Sequence, residues 1–153
     1  MQADFIQTMM GMVGSLAFAI LFGVRNKKAL FSIAVGSSIG WAAYIVCQHA
    51  GYGKASCMLA SALVIAAWSE IQARIIKTPV VVMLGPMLIP EFPGGGLYYA
   101  MYALIEGDTV LFGEKLKLVL TEAGAIALGI IMASYAAGLL TNIRKAYAAK
   151  KCR

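Results

Sequence analysis

Residues 85–96 read Gly-Pro-Met-Leu-Ile-Pro-Glu-Phe-Pro-Gly-Gly-Gly and lie in the middle of a long apolar stretch. Proline removes a backbone donor and clashes with the preceding turn of a helix, and glycine weakens a helix by about 1 kcal/mol per residue. Pro90, Pro93 and Gly94–Gly96 are therefore expected to open a helix that would otherwise be continuous. Freed backbone groups cannot face lipid, so such a break must be buried in protein or lie beside a watery cavity.

The composition around this stretch is that of an integral membrane protein. Hydrophobic residues make up 61% of the 153 residues and charged residues 13%, and the mean hydropathy is +0.79. Soluble domains are nearer to about 45–50% apolar and about 25% charged. These values exclude a disordered chain, a collagen-like repeat and a disulfide scaffold. The net charge of +6 lies in short clusters between apolar runs, so membrane topology explains it and no nucleic-acid partner is expected.

Five apolar segments follow one another along the chain. Each uninterrupted segment reaches the ~20 residues needed to cross a ~30 Å hydrocarbon core. We predict an all-α integral membrane protein that forms a single membrane domain over residues 1–153, with its fourth helix broken at the Pro/Gly block. The segments run from Phe5 to Val24, Leu30 to Ala50, Ala55 to Ile76, Pro79 to Ile105 and Leu118 to Thr141.

Basic residues predict how these segments are oriented. Of the 13 lysines and arginines, ten lie in the first loop, the third loop and the C-terminal tail, whereas three lie on the opposite side. The positive-inside rule places the ten in the cytoplasm, so that the N-terminus lies outside and the C-terminus inside. We predict a multi-pass protein of the cell membrane, inner or plasma, embedded in the lipid bilayer.

Metal-site and enzyme patterns are missing from the sequence. The cysteines Cys47, Cys57 and Cys152 form no CxxC pair, and His49 is the only histidine, so a zinc or redox site is not expected. Neither a nucleophile–base pair nor a phosphate-binding glycine motif before a soluble helix occurs. We therefore expect no metal, no cofactor and no enzymatic activity.

Glu91 lies inside the broken segment, twelve residues beyond Pro79, which is ~18 Å along a helix that rises about 1.5 Å per residue. That depth is a little past the centre of the hydrocarbon core, where a carboxylate costs ~2.5–3.5 kcal/mol on insertion scales. Discontinuous helices with binding groups near the midplane are typical of secondary transporters. The pattern favours a substrate or proton pathway at the break. The alternative is a Pro-kinked helix or a re-entrant hairpin, in which Glu91 is protonated or reaches toward the interface.

Other polar residues each leave two interpretations open. Glu70 precedes Arg74 by four residues, which favours a helical ion pair, and a functional role is the alternative. Glu122 lies one turn into the fifth predicted segment, where a helix N-terminus would stabilise it, or it acts as a gate. Three tyrosines after the glycines form either an interfacial aromatic belt or the lining of a cavity. These tyrosines are Tyr98, Tyr99 and Tyr102.

Small residues recur at four-residue spacing in two segments, and such stripes let helix backbones approach closely in lipid. They predict helix packing rather than a binding site. The stripes are Ser32, Gly36 and Gly40 in the second segment and Gly129, Ala133 and Ala137 in the fifth.

Several motifs in this chain occur together in one known family. The central one is Ile-Pro-Glu-Phe-Pro-Gly-Gly-Gly-Leu-Tyr-Tyr-Ala-Met at residues 89–101, preceded by Lys-Thr-Pro at 77–79 and followed by Glu-Gly-Asp at 106–108. Ser69-Glu70 with Ala73-Arg74 and the stretch 125–130 support it. With these motifs and its five-segment layout, the chain resembles the threonine/serine exporter family, and specifically its short five-helix subunit.

The resemblance implies a transporter of two five-helix halves, either fused in one chain or encoded as two small proteins. It also implies coupling to the proton motive force and substrates such as threonine and serine, whereas some two-component members are linked to dicarboxylate export. In many relatives an apolar residue occupies the position of Glu91, so a role for Glu91 does not carry over from the family. Five crossings place the two ends on opposite sides, so a related half would point the other way and give the inverted repeat expected for alternating access.

The leading hypothesis is one membrane subunit of a proton-driven exporter of small amino acids, which works with a complementary five-helix subunit. The substrate carboxylate would meet free amides at Gly94–Gly96, and Glu91 would exchange a proton or bind the substrate ammonium. Alternatives are a dicarboxylate exporter subunit, a non-transporting scaffold and a homo-oligomeric channel. The predicted substrate or ion site comprises Pro90, Glu91, Pro93, Gly94, Gly95, Gly96, Tyr98 and Tyr99, with Glu70 and Glu122 as candidates for a gate or a proton pathway.

Overall fold

Every element of the computed structural model is helical over residues 2–151, which are the residues that the structure describes, with side chains described from 4 to 143. Cys152 and Arg153 lie outside the described residues, as do the side chains of the other basic residues of the tail. The elements are α1 (Gln2–Leu21), α2 (Lys27–His49), α3 (Lys54–Ile76), α4 (Val80–Leu88), a 3-10 turn (Ile89–Glu91), α5 (Gly94–Glu106) and α6 (Thr109–Lys151).

Short connections let α1 pack on α2, α2 on α3, α3 on α4 and α5 on α6. The turn between α5 and α6 shows how local sequence sets such a connection. Gly107 ends α5 with a φ of 81°, a left-handed conformation that glycine adopts without steric cost. Asp108 then caps α6, because its Oδ1 accepts the backbone N–H of Leu111 at 2.9 Å. At the start of α2, Asn26 caps in the same way and accepts the Lys28 N–H at 3.0 Å.

Helix α3 is central in the described bundle, with α2 packed on one side and α6 on another. The small residues of the two stripes make this close packing possible. A Cβ atom on Gly40 would overlap the Ile65 side chain of α3, and one on Gly129 would lie 2.7 Å from the Leu59 carbonyl oxygen. Gly36 packs similarly, with a Cβ position 2.6 Å from Trp68. The prediction that both stripes pack helices is confirmed.

Four helices are long and apolar enough to cross a membrane, and a fifth span is added when α4 and α5 are counted as one bent pair. Many large apolar side chains on these helices are exposed, such as Ile20 and Phe31, which suits contact with lipid. The all-helical membrane fold with four to five apolar spanning helices is therefore as predicted. The four long spans are Asp4–Leu21, Lys27–His49, Lys54–Ile76 and Thr109–Ile143.

The last helix is longer than the predicted segment Leu118–Thr141, because α6 runs from Thr109 to Lys151. Hydropathy marks only the apolar part of a helix. The polar residues before Leu118 include Glu114, Lys115 and Lys117, which are good helix formers, and the helix continues through them.

Candidate functional site

The chain between α4 and α5 is not α-helical. Helix α4 ends at Leu88, the 3-10 turn follows, and Phe92 has extended backbone angles before α5 begins at Gly94. The axes of the two flanking helical pieces differ by 60°. Pro90 lies within the turn and contacts α1, where a Cβ atom on Gly11 would be 3.4 Å from the proline Cβ. An added Cβ atom would thus make ordinary van der Waals contact, and the turn packs against α1 at Gly11.

Glu91 is the last residue of the turn, and its side chain is only 2% exposed. Its Oε1 accepts a hydrogen bond from the Ser61 hydroxyl of α3. The same hydroxyl lies 2.5 Å from the carbonyl oxygen of Gly40 in α2. The turn is thus connected to two different helices through one serine.

The number of hydrogens available to Ser61, Gly40 and Glu91 limits how they can bond, because a serine hydroxyl has one hydrogen to donate. Ser61 cannot donate to the Gly40 carbonyl and to the Glu91 carboxylate at once. When the Glu91 carboxyl carries a proton it can donate to Ser61 Oγ, and Ser61 can then donate to Gly40. The geometry therefore accommodates a proton on Glu91.

Some buried polar atoms have no hydrogen-bond partner among the described residues. They include the second carboxyl oxygen of Glu91 and the hydroxyl of Ser15. Ser15 lies one turn after Gly11 on α1, on the face that contacts Pro90. An unsatisfied buried polar group costs about 1–3 kcal/mol, so this region suits water or a polar ligand.

The three glycines at the start of α5 differ in their surroundings. A Cβ atom on Gly94 or Gly95 would meet nothing within 4 Å, whereas one on Gly96 would lie 2.8 Å from the Val119 side chain of α6. Gly96 therefore allows close packing of α5 on α6, and the first two glycines border open space. The first-turn amides of a helix have no intrahelical partner, so this end of α5 can bind an anionic group.

Tyr98 and Tyr99 lie one turn further along α5 with their rings exposed. Their ring centroids are 5.5 Å apart in an edge-on arrangement. Pro93 is buried, and it precedes α5 as its N-terminal flanking residue. The structure thus places the tyrosine rings on the outer surface of the described chain and Glu91 in its interior. Both interpretations of the tyrosines remain predictions.

Glu70 forms the predicted ion pair with Arg74, with the Glu70 Oε2 and Arg74 Nη2 atoms 3.0 Å apart. The Arg74 Nη1 also donates to the Glu70 carbonyl oxygen at 2.9 Å. Nine residues separate Glu70 from Ser61 on α3, which is roughly 14 Å along the helix. The structure does not place Glu70 at the turn with Glu91.

Glu122 lies thirteen residues into α6 rather than in its first turn, because the helix begins at Thr109. The interpretation of Glu122 as a residue stabilised by a helix N-terminus is therefore wrong. Its side chain is 1% exposed, and its Oε1 lies 2.8 Å from the ammonium of Lys54 at the start of α3. An ion pair between two helices explains the buried charge.

Sequence reasoning missed Ser61 and Lys54, whose partners are distant in the chain. It also missed the buried hydroxyl of Ser15. The signal available in the sequence was a serine within an apolar helix. In the structure α3 buries two such serines, Ser61 and Ser69. Among the described residues, no group of three histidine, cysteine or acidic side chains could hold a metal ion.

Comparison with known families gives one finding. A family model described as "Threonine/Serine exporter, ThrE" matches residues 7–136, which include the whole turn and the residues that surround it. No significant match is found among curated proteins or among solved structures.

Proposed function

Because the chain belongs to the threonine/serine exporter family, we propose that it is one subunit of a secondary exporter of small amino acids driven by the proton motive force. The family makes it an exporter-type membrane transporter, and its apolar helices make it a multi-pass membrane protein. The finer assignment depends on one observation. A buried carboxyl, Glu91, lies on the 3-10 turn that precedes the open first turn of α5.

We assign proton exchange to Glu91. With a proton on its carboxyl, the hydrogen bonds run from Glu91 to Ser61 and from Ser61 to the Gly40 carbonyl. When the proton leaves, the Ser61 hydroxyl donates to the Glu91 carboxylate. The Gly40 carbonyl then no longer accepts a hydrogen bond from Ser61. The charge on Glu91 is thereby linked to the contact between the turn, α2 and α3.

The substrate binds at the start of α5 in this proposal. An amino acid carries a carboxylate and an ammonium about one carbon apart, and both have a complementary group here. The first-turn amides of Gly95 and Gly96 take the carboxylate, since a helix N-terminus favours negative charge and the Gly94 amide already donates to the Phe92 carbonyl oxygen. The deprotonated Glu91, three residues before Gly94, takes the ammonium.

Competition at Glu91 provides the coupling. A proton and a substrate ammonium cannot both neutralise the same carboxylate, so the site carries one or the other. When a proton from one side of the membrane binds Glu91, the amino acid is released to that same side. The transporter then exchanges one proton for one amino acid at this carboxylate. A dicarboxylate has no ammonium for Glu91 to bind, so the arrangement favours amino acids over the alternative dicarboxylate substrates.

A second subunit completes the transporter. We propose that α4 and α5 form one broken span, which gives five crossings of a single membrane domain with the N-terminus outside the cell membrane. A complementary five-helix half would then be inverted relative to this chain and supply the other wall of the site. Homo-oligomeric assembly is the alternative arrangement, and no enzymatic activity is proposed.

Transport by both subunits in proteoliposomes tests the function. Glu91→Gln keeps the shape of the side chain but cannot exchange a proton, so we expect proton-driven efflux of threonine to fall at least ~10-fold, as for loss of a functional proton carrier. Glu106→Gln, at the exposed end of α5, is the matched control and leaves efflux unchanged.

Three results would contradict parts of the proposal. Unchanged efflux in the Glu91→Gln transporter removes Glu91 from the mechanism. Conductance by this chain alone indicates a homo-oligomeric channel. An assembled pair that moves neither amino acids nor dicarboxylates, under either polarity of the proton gradient, indicates a scaffold.

A further inference from the structure

A cavity of about 520 Å³ lies between the beginning of α2 and the end of α3. This end of the two helices is the one that the distribution of basic residues assigns to the cytoplasm. The cavity is separated from the Glu91 turn along α3. Its first lining residue on that helix, Trp68, comes seven positions after Ser61. Lining residues are Lys27, Lys28, Phe31, Ser32, Val35, Trp68, Gln72, Ile75 and Ile76.

The cavity combines cationic groups with apolar walls. Lys27 and Lys28 are exposed at one end, and the rest of the lining is mostly aliphatic and aromatic. None of the described lining residues is acidic. The nearby Glu70 lies two positions from Trp68, roughly 200° around α3, and its charge is paired with Arg74.

Trp68 forms a fixed wall of this cavity. Its indole Nε1 donates to the Ser32 carbonyl oxygen at 3.1 Å, and the Ser32 hydroxyl lies 3.2 Å from the same nitrogen. The indole polar group is thus satisfied within the protein. What the ring offers to an occupant of the cavity is an apolar face.

We propose that this cavity binds an anionic phospholipid of the cytoplasmic leaflet. The phosphate of the headgroup meets Lys27 and Lys28, and one acyl chain lies along Phe31, Trp68 and Ile75. Basic pockets between transmembrane helices at the cytoplasmic side are suited to anionic headgroups. The apolar walls distinguish a lipid from a free anion, which would make no use of them.

Tryptophan fluorescence can test the site directly, because the chain has two tryptophans. In a Trp41→Phe background, Trp68 is the sole reporter. The purified protein is placed in nanodiscs that contain phosphatidylglycerol and phosphatidylcholine in equal amounts. In one sample the phosphatidylglycerol has brominated acyl chains, and in the other the phosphatidylcholine has them. We expect stronger quenching of Trp68 by the brominated phosphatidylglycerol than by the brominated phosphatidylcholine.

Lysine variants assign the preference to the cavity. Lys27→Gln with Lys28→Gln should reduce the preference for phosphatidylglycerol by up to about 30-fold, from the attraction of two lysines to an anionic headgroup. Lys115→Gln with Lys117→Gln removes the same charge from α6, away from the cavity, and should leave the preference unchanged. In a Trp68→Phe protein, Trp41 should be quenched equally by the two lipids.

Several outcomes would overturn the proposal. Equal quenching of Trp68 by both lipids excludes an anionic-lipid site. An equal loss of preference in the Lys115 and Lys117 variant indicates general surface attraction rather than this cavity. Displacement by inorganic phosphate would indicate a free-anion site instead. None of these measurements requires transport, so they are independent of the proposed function.

Discussion

Glu91 and Glu122 are both buried carboxyl groups in apolar parts of the chain, yet their surroundings differ. Glu122 lies inside the continuous helix α6, and Lys54 provides a cation at 2.8 Å. Glu91 lies on the turn between α4 and α5, and the hydroxyl of Ser61 is its hydrogen-bond partner. A nearby opposite charge favours the ionised form, whereas a neutral partner allows either a proton or another cation to bind. The comparison separates a structural ion pair from a candidate transport site.

Lys54→Met gives the largest expected effect on stability. It leaves Glu122 buried without its cation, and loss of one partner from a buried pair costs about 3–5 kcal/mol. Lys54 is 51% exposed, so solvent reduces the cost and we expect about 2–3 kcal/mol. Unfolding of the purified protein by denaturing detergent, followed by helical circular dichroism, measures it.

The double variant Lys54→Met with Glu122→Gln is the control for this prediction. It removes both charges and should recover most of the lost stability. If Lys54→Met instead leaves stability intact but stops transport, the pair acts as a gate and the contrast with Glu91 fails.

Gly129→Ala and Gly94→Ala compare a packed glycine with an open one. A Cβ atom on Gly129 would lie 2.7 Å from the backbone oxygen of Leu59, so the helices must separate, and we expect a loss of about 1–3 kcal/mol. A Cβ atom on Gly94 meets nothing within 4 Å, so stability should be unchanged or slightly higher.

Transport assays extend the glycine comparison to the site. If the space beside Gly94 holds substrate, Gly94→Ala raises the KM for threonine while the protein stays folded. An unchanged KM would show that the open space at the start of α5 is not used by substrate.

Ser61→Ala is expected to cost about 1 kcal/mol of stability, less than Lys54→Met, because it removes one buried hydroxyl from its two partners. Ser69→Ala is the matched control on the same helix, since the Ser69 hydroxyl donates to its own helix at the Ile65 carbonyl. We expect Ser61→Ala to alter the pH profile of transport and Ser69→Ala to leave that profile unchanged. The same profile in both variants would remove Ser61 from proton exchange.

The broken segment shows how far sequence reasoning reached into the candidate site. Three prolines and a run of three consecutive glycines within twelve residues predict an interruption, and a carboxylate among them predicts a polar function. These are local properties of the chain. The sequence alone could not assign different roles to Gly94, Gly95 and Gly96. The contact with Val119 of α6, which only the structure shows, identifies Gly96 as a packing residue.

Glu122 shows where such reasoning failed. Its depth in the predicted segment suggested a helix N-terminus, because hydropathy does not report where a polar extension of a helix begins. Its partner Lys54 lies 68 residues earlier in the chain, and no local pattern connects the two. The Glu70–Arg74 pair was predictable because its members are one turn apart on one helix.

The sequence by itself determined the apolar helices, the positions of the small-residue stripes and the presence of a carboxyl at the Pro/Gly block. These follow from hydrophobicity, backbone preference and spacing, which act over a few residues. Only the tertiary structure decided which groups meet Glu91 and Glu122, because contacts between helices depend on how α3 packs against α2, α6 and the turn. The partner of a buried charge is set by that packing, and it decides whether the charge is fixed or available for exchange.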